Sequence, residues 1–96
     1  MAARFYILRL RSGAFYCGAT ENLNQRYQDH LIGRGCLTTQ ADLPVELLYS
    51  EKCLDYAAAR KREAQVKKWS RAKKEALISG DKVRLKQLAR SRENEA

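Results

Sequence analysis

Arg4-Phe5-Tyr6-Ile7-Leu8-Arg9-Leu10-Arg11-Ser12-Gly13-Ala14-Phe15-Tyr16-Cys17-Gly18 is the stretch that decides the fold. Two short apolar runs, Phe5-Tyr6-Ile7-Leu8 and Phe15-Tyr16-Cys17-Gly18, flank Arg11-Ser12-Gly13. Side chains alternate faces along a strand with period two, so the length of the loop fixes which residues share a face. A three-residue hairpin loop, a type I turn closed by a left-handed residue, wants glycine third. That loop pairs Leu10 with Ala14 and Leu8 with Tyr16. Tyr6, Leu8, Leu10, Ala14, Tyr16 and Gly18 then lie on one face. A two-residue loop at Ser12-Gly13 would set the tyrosines on opposite faces, and the position of Gly13 favours the first register.

Working outward, Asn22 with Gln25 three residues later marks a helix start, predicted over 23–32 and stopped by Gly33. Leu23, Tyr27, His30 and Leu31 fall on one side of it, with Arg26 and His30 neighbours at i, i+4. Residues 33–44 read as a loop. Residues 45–50 read as a third strand, apolar enough to be central in the sheet. Asp55 can cap a helix over 56–69, Ser70 another over 71–79 ending at Gly80, and Asp81 a last one through about residue 92. The tail over 91–96 should fray. The order is strand, strand, helix, strand, helix, helix, with a further helix at the end. It predicts an α+β fold, a small three-stranded antiparallel sheet flanked by helices.

Ninety-six residues make one small domain, and 45% hydrophobic residues suffice for one core. No run approaches the ~20 apolar residues of a spanning helix, and residues 1–4 lead straight into the first strand with no signal-like block. A cytoplasmic protein with no membrane partner is the expectation. Cys17, Cys36 and Cys53 match no zinc or redox spacing, and one histidine cannot complete a common zinc set with them. They read as reduced small hydrophobes.

Charge is lopsided. Residues 1–50 carry five Lys/Arg against four Asp/Glu, net +1, whereas residues 51–96 carry fourteen against seven, net +7. Such asymmetry points to a polyanionic partner engaged by the C-terminal half. Arg60, Lys67, Lys68, Arg71, Lys73 and Lys74 are the candidate nucleic-acid contacts, weighed against a merely solvated helix face. Glu63 is the single acid between Arg60 and Lys74, among eight Lys/Arg. Periodicity turns it toward the sheet, where a carboxylate must be paired or hold a cation. An ion pair with Arg26, Arg60 or Lys67 is the plain reading of its surroundings.

Tyr6-Ile7, Tyr16-Cys17-Gly18, Arg26, His30 and Glu63, followed by Ala64-Gln65-Val66-Lys67-Lys68-Trp69, together resemble the GIY-YIG nuclease superfamily. The likeness is closest to its short stand-alone bacterial members and covers about residues 4–79. It implies a GIY-YIG-like nuclease domain over 1–80, followed by a C-terminal helix and frayed basic tail over 81–96. It implies a metal-dependent endonuclease that hydrolyses DNA phosphodiester bonds, structure-specific and linked to DNA repair. Tyr6, Tyr16, Arg26 and His30 would be catalytic, with Glu63 binding Mg²⁺ or Mn²⁺. DNA is preferred over RNA as partner. Two rival readings stand beside this one: a non-catalytic nucleic-acid-binding module of the same fold, and an interaction domain whose last helix docks a protein partner. Either tyrosine could be the base that activates water, and both stay open at this point.

Overall fold

Gly13 adopts φ +94°. Its N–H donates to the Leu10 carbonyl at 2.9 Å, and the Leu10 N–H donates to the Ala14 carbonyl at 2.8 Å. These bonds close the three-residue loop, and Leu8 pairs with Tyr16 as that loop requires. The computed structural model describes the backbone of residues 2–95 and the side chains of residues 2–88.

The elements are β1 (Ala3–Leu10), β2 (Phe15–Thr20), α1 (Leu23–Leu31), α2 (Leu37–Ala41), β3 (Pro44–Cys53), α3 (Tyr56–Lys67), α4 (Arg71–Ser79) and α5 (Lys82–Glu95). The sheet is antiparallel in the order β2-β1-β3. This corrects the expectation that the third strand is central: β1 is central and β3 is an edge. Phe5, Tyr6, Ile7 and Leu8 are all buried, as a strand covered on both faces demands. In β3, Val45, Glu46 and Leu47 are exposed.

Caps act as the sequence indicates. Asn22 Oδ1 accepts from the Gln25 N–H at 3.1 Å, Asp55 Oδ1 from Ala58 N–H at 2.8 Å, and Ser70 Oγ from Lys73 N–H at 3.2 Å. The reciprocal bond from Gln25 is not made; its amide donates to Asp29 instead. The Arg34 N–H reaches back to the Asp29 carbonyl across a left-handed Gly33, which ends α1. Leu31 stays 39% exposed, and Leu23, Tyr27 and the buried His30 form the inner side of α1. The 33–44 segment is not all loop, because Leu37–Ala41 forms one short helix with Thr39 buried. Helix α3 stops at Lys67, two residues early. Helix α5 continues through Glu95, across most of the segment whose composition suggests fraying, and Ala96 lies outside the described residues. No described helix is long and apolar enough to cross a membrane.

Two cores result, one on each face of β1. Phe5, Ile7 and Cys17 meet Val66 of α3, Leu77 and Ile78 of α4, and Trp69 from the connection between those helices. Tyr6, Leu8 and Leu10 meet Tyr16, Leu23 and Tyr27 on the α1 side. Each fully buried Phe, Ile or Val side chain contributes about 1.5–3 kcal/mol. Arg71 fastens the hairpin to α4: it stacks over Phe15 at 4.0 Å, donates to the Gly13 carbonyl at 2.9 Å and pairs with Glu75 at 3.0 Å.

Candidate active site

Tyr6 lies opposite Gly18 across the β1–β2 ladder. A Cβ on Gly18 would overlap the Tyr6 ring and hydroxyl, so glycine is needed here for close approach. The phenol is thereby laid across β2 toward its free edge. There Tyr6, Tyr16, Arg26, Arg60 and Glu63 line one cleft of about 550 Å³, together with Glu21 and Tyr56. Helix α1 delivers Arg26, and α3 delivers Glu63 one turn from the buried Ala59 and Val66. Four of the five residues predicted to make up the centre, Tyr6, Tyr16, Arg26 and Glu63, are thus brought together.

The fifth, His30, does not line the cleft. It is wholly buried behind Tyr6, with Nε2 at 2.9 Å from the Tyr6 hydroxyl and Nδ1 at 2.8 Å from Thr39 Oγ1. Its ring also stands edge-on to Tyr16, centroids 5.4 Å apart. Glu63 faces the Arg60 guanidinium at 4.0 Å, which is beyond hydrogen-bonding range. The predicted pairing therefore exists in a loose form that leaves the half-buried carboxylate facing the cleft. Among the described residues no three His, Cys, Asp or Glu side chains converge as a metal cage. Glu63, with Glu21 on the same cleft wall, fits a hard divalent ion that takes one or two carboxylates and fills its other positions with water and phosphate oxygens.

Burial pushes the Tyr6 phenol up, and the Arg26 guanidinium beside it pulls partly back. Tyr16 is driven up further, by burial first and then by its contact with Cys36. For Cys36 burial acts upward, but the Tyr16 hydroxyl and the Thr39 and Thr38 donors outweigh it and bring the thiol to about 7. His30 is lowered below 6.5 by burial and by Arg26. The unfolded chain therefore takes up the histidine proton before the folded one does. The stability His30 contributes is complete above pH ~6.5 and is lost as pH falls through the folded-state value. Thermal melts should show Tm dropping below pH 6.5 in wild type and less in His30→Gln. Equal pH slopes would exclude His30 as the group responsible.

The basic candidates divide. Arg60 is on the cleft, whereas Lys67, Lys68 and Lys74 lie around the α3–α4 junction. Lys73 sits 4.2 Å above the Trp69 ring, with Arg62 5.1 Å from the same ring, and Arg71 is held by the hairpin.

A family model described as the GIY-YIG catalytic domain matches residues 3–76. The chain belongs to the GIY-YIG family. A UPF0213 protein of Xanthomonas axonopodis pv. citri is 41% identical over 76% of this chain and 72% of its own length. One from Natronomonas pharaonis is 37% identical over 79% and 89%, respectively. The solution NMR structure of a UPF0213 protein from Bacillus halodurans superposes with TM-score 0.53 at 33% identity, covering 82% of this chain and 84% of that one. Short stand-alone proteins are thus the relatives found, as the motif order suggests. In this GIY-YIG domain Gly35, Thr39 and Glu21 went unmarked in the sequence, and Cys36, read there as a small hydrophobe, is a polar partner of Tyr16 and Thr39. Gly35 was the available signal: it follows Gly33 by two, and only Gly33 has a positive φ.

Proposed function

We propose that this GIY-YIG protein is a divalent-metal-dependent endonuclease that hydrolyses DNA phosphodiester bonds, with Tyr6 as the residue that accepts the water's proton. The observation that carries the reading is the 2.9 Å contact between the Tyr6 hydroxyl and a buried, neutral His30, on a cleft shared with Arg26 and Glu63. A phenol alone is a poor base near neutral pH. Backed by an imidazole, it can take a proton from water on its oxygen while passing its own to Nε2. That proton then returns through the same phenol to solvent. Tyr16 has no imidazole within hydrogen-bonding distance among the described residues; its hydroxyl is engaged with Cys36, and its strongly raised pKa suits a hydrogen-bond donor rather than a base. Arg26 presents a fork of donors for a non-bridging phosphate oxygen, where negative charge grows as the water oxygen bonds to phosphorus and the leaving oxygen departs. A divalent ion held by Glu63 would supply Lewis-acid polarisation of that phosphate.

Purified protein should nick supercoiled plasmid in the presence of Mg²⁺ or Mn²⁺. Faster cutting of branched than of linear duplex would support a structure-specific enzyme of repair. Tyr6→Phe should lose turnover, whereas Tyr16→Phe should lose less; the reverse order would move the base to Tyr16. No cutting of duplex, branched or single-stranded DNA with either metal would leave a binding module of the same fold.

Engagement of DNA is expected to be electrostatic and indifferent to sequence, because the basic side chains meet phosphates rather than base edges. Neutralising Lys67, Lys68, Lys73 and Lys74 should weaken binding. Each lost phosphate contact should lower the slope of log K against log salt by about 0.9 for duplex DNA. An unchanged slope would place the binding face elsewhere.

A further inference from the structure

We propose that Thr39 is a positioning residue that fixes the tautomer of His30, so that the Tyr6 hydroxyl is held as the donor in the Tyr6–His30 pair. The catalytic consequence rests on the nuclease reading above, but the tautomer itself does not.

A neutral imidazole carries its proton on one nitrogen, and the neighbours decide which. The order of hydrogen bonds can be read from the two ends of the chain that passes through His30. At one end, Thr39 Oγ1 lies 2.8 Å from His30 Nδ1 and 3.1 Å from the Cys36 carbonyl. A carbonyl only accepts, and its two lone pairs serve both this hydroxyl and the Gln40 N–H at 3.0 Å. The single hydroxyl proton of Thr39 therefore goes to Cys36, whose carbonyl at 3.1 Å and Sγ at 3.7 Å are both within its reach, and toward His30 the same oxygen accepts. At the other end, the Arg26 guanidinium stands beside the Tyr6 phenol and only donates. The phenol oxygen turns its lone pairs to that cation, and its proton goes the other way, to His30 Nε2.

Both ends impose one direction: Tyr6 O–H to Nε2, then Nδ1–H to Thr39, then the Thr39 hydroxyl to the Cys36 carbonyl. The opposite direction would aim the phenol proton toward a guanidinium and set two acceptor oxygens against each other at 3.1 Å. His30 and Thr39 are each 0% exposed, so water cannot substitute for a missing partner of the imidazole. Gly35 seals the arrangement. A Cβ there would run into both His30 Nδ1 and Thr39 Oγ1, so the backbone closes directly over their hydrogen bond.

The other tautomer would make Nε2–H the donor and leave Tyr6 no group to receive its proton. Thr39→Val keeps the volume but removes the acceptor for Nδ1–H, and should move the proton to Nε2. Turnover should fall about 10- to 100-fold, as loss of a partner that orients a catalytic imidazole commonly costs. KM should stay unchanged, and Thr39→Ser should restore the rate.

His30 is the single histidine of the chain, so ¹⁵N-histidine labelling reports one imidazole. The wild-type spectrum should show a protonated, pyrrole-type Nδ1 and a pyridine-type Nε2, exchanged in Thr39→Val and restored in Thr39→Ser. A wild-type Nε2–H overturns the assignment, as does a folded valine variant that keeps Nδ1–H. Should the valine protein not fold, the wild-type spectrum and the serine variant decide. A protein with the assigned tautomer that nicks no DNA would count against the nuclease reading and leave this assignment standing.

Discussion

Glu63→Gln protein should bind DNA as well as wild type and not cut it. The substitution keeps the shape of the side chain, and its fold should survive because the contact to Arg60 that the carboxylate loses is a loose one. It removes a negative charge from a basic face, so electrostatic attraction for phosphate is undiminished. What would disappear is the carboxylate proposed to hold a hard cation, together with the polarisation of the phosphate that such an ion would supply. Plasmid nicking should drop below detection across a Mg²⁺ and Mn²⁺ titration, while fluorescence anisotropy on labelled duplex gives a wild-type salt curve. Cleavage within tenfold of wild type would remove Glu63 from the mechanism.

Arg26→Ala should cost roughly 10²-fold or more in rate, the usual consequence of deleting one preorganised donor from a developing oxyanion. A second signature distinguishes this role from a general weakening of binding. Burial and then the Arg26 cation hold the His30 imidazole low, so without Arg26 the imidazole protonates at higher pH and the acid limb of the pH–rate profile should move up. Arg26→Lys should recover little, since a point charge lacks the planar fork that meets two phosphate oxygens at once. A rate loss matched by an equal rise in KM, with an unmoved pH profile, would make Arg26 a binding residue alone.

Much of this arrangement was legible in the chain because its signals are local. Gly13 in third position fixed the hairpin register, and the register put both tyrosines on one face. Asn22, Asp55 and Ser70 announced three helix starts through side chains that bond within three residues. The spacing of Ala59, Glu63 and Val66 turned the carboxylate inward. The order of strands was misread because Leu47-Leu48-Tyr49 looks as apolar as a central strand. The better signal was four successive buried residues in β1, Phe5 to Leu8, for which a solvent-facing side leaves no room. The short α2 escaped because Cys36 gives no side-chain cap and its threonines are weak helix formers. His30 through Thr39 to the Cys36 carbonyl escaped for a deeper reason. A hydrogen bond between side chains on two elements depends on how those elements dock, and no periodicity within either one encodes it.

The position of β1 has a bearing on synthesis. Of the three strands, the one made first is the one that ends in the middle of the sheet, and its second neighbour is far behind: Ala3 pairs with Cys53. The hairpin with β2 can close early, since its partners are near in sequence. The other edge of β1 must then wait, with its backbone N–H and C=O groups unpaired and Phe5 and Ile7 uncovered, until β3 and α3 have emerged. A half-made chain is thus a sticky two-stranded ribbon with an open edge, the form most prone to pair with its neighbours. The docking of α3 that finally covers Phe5 and Ile7 also carries Glu63 to the cleft. The nascent chain therefore cannot hold the complete cleft until the sheet that supports it is closed.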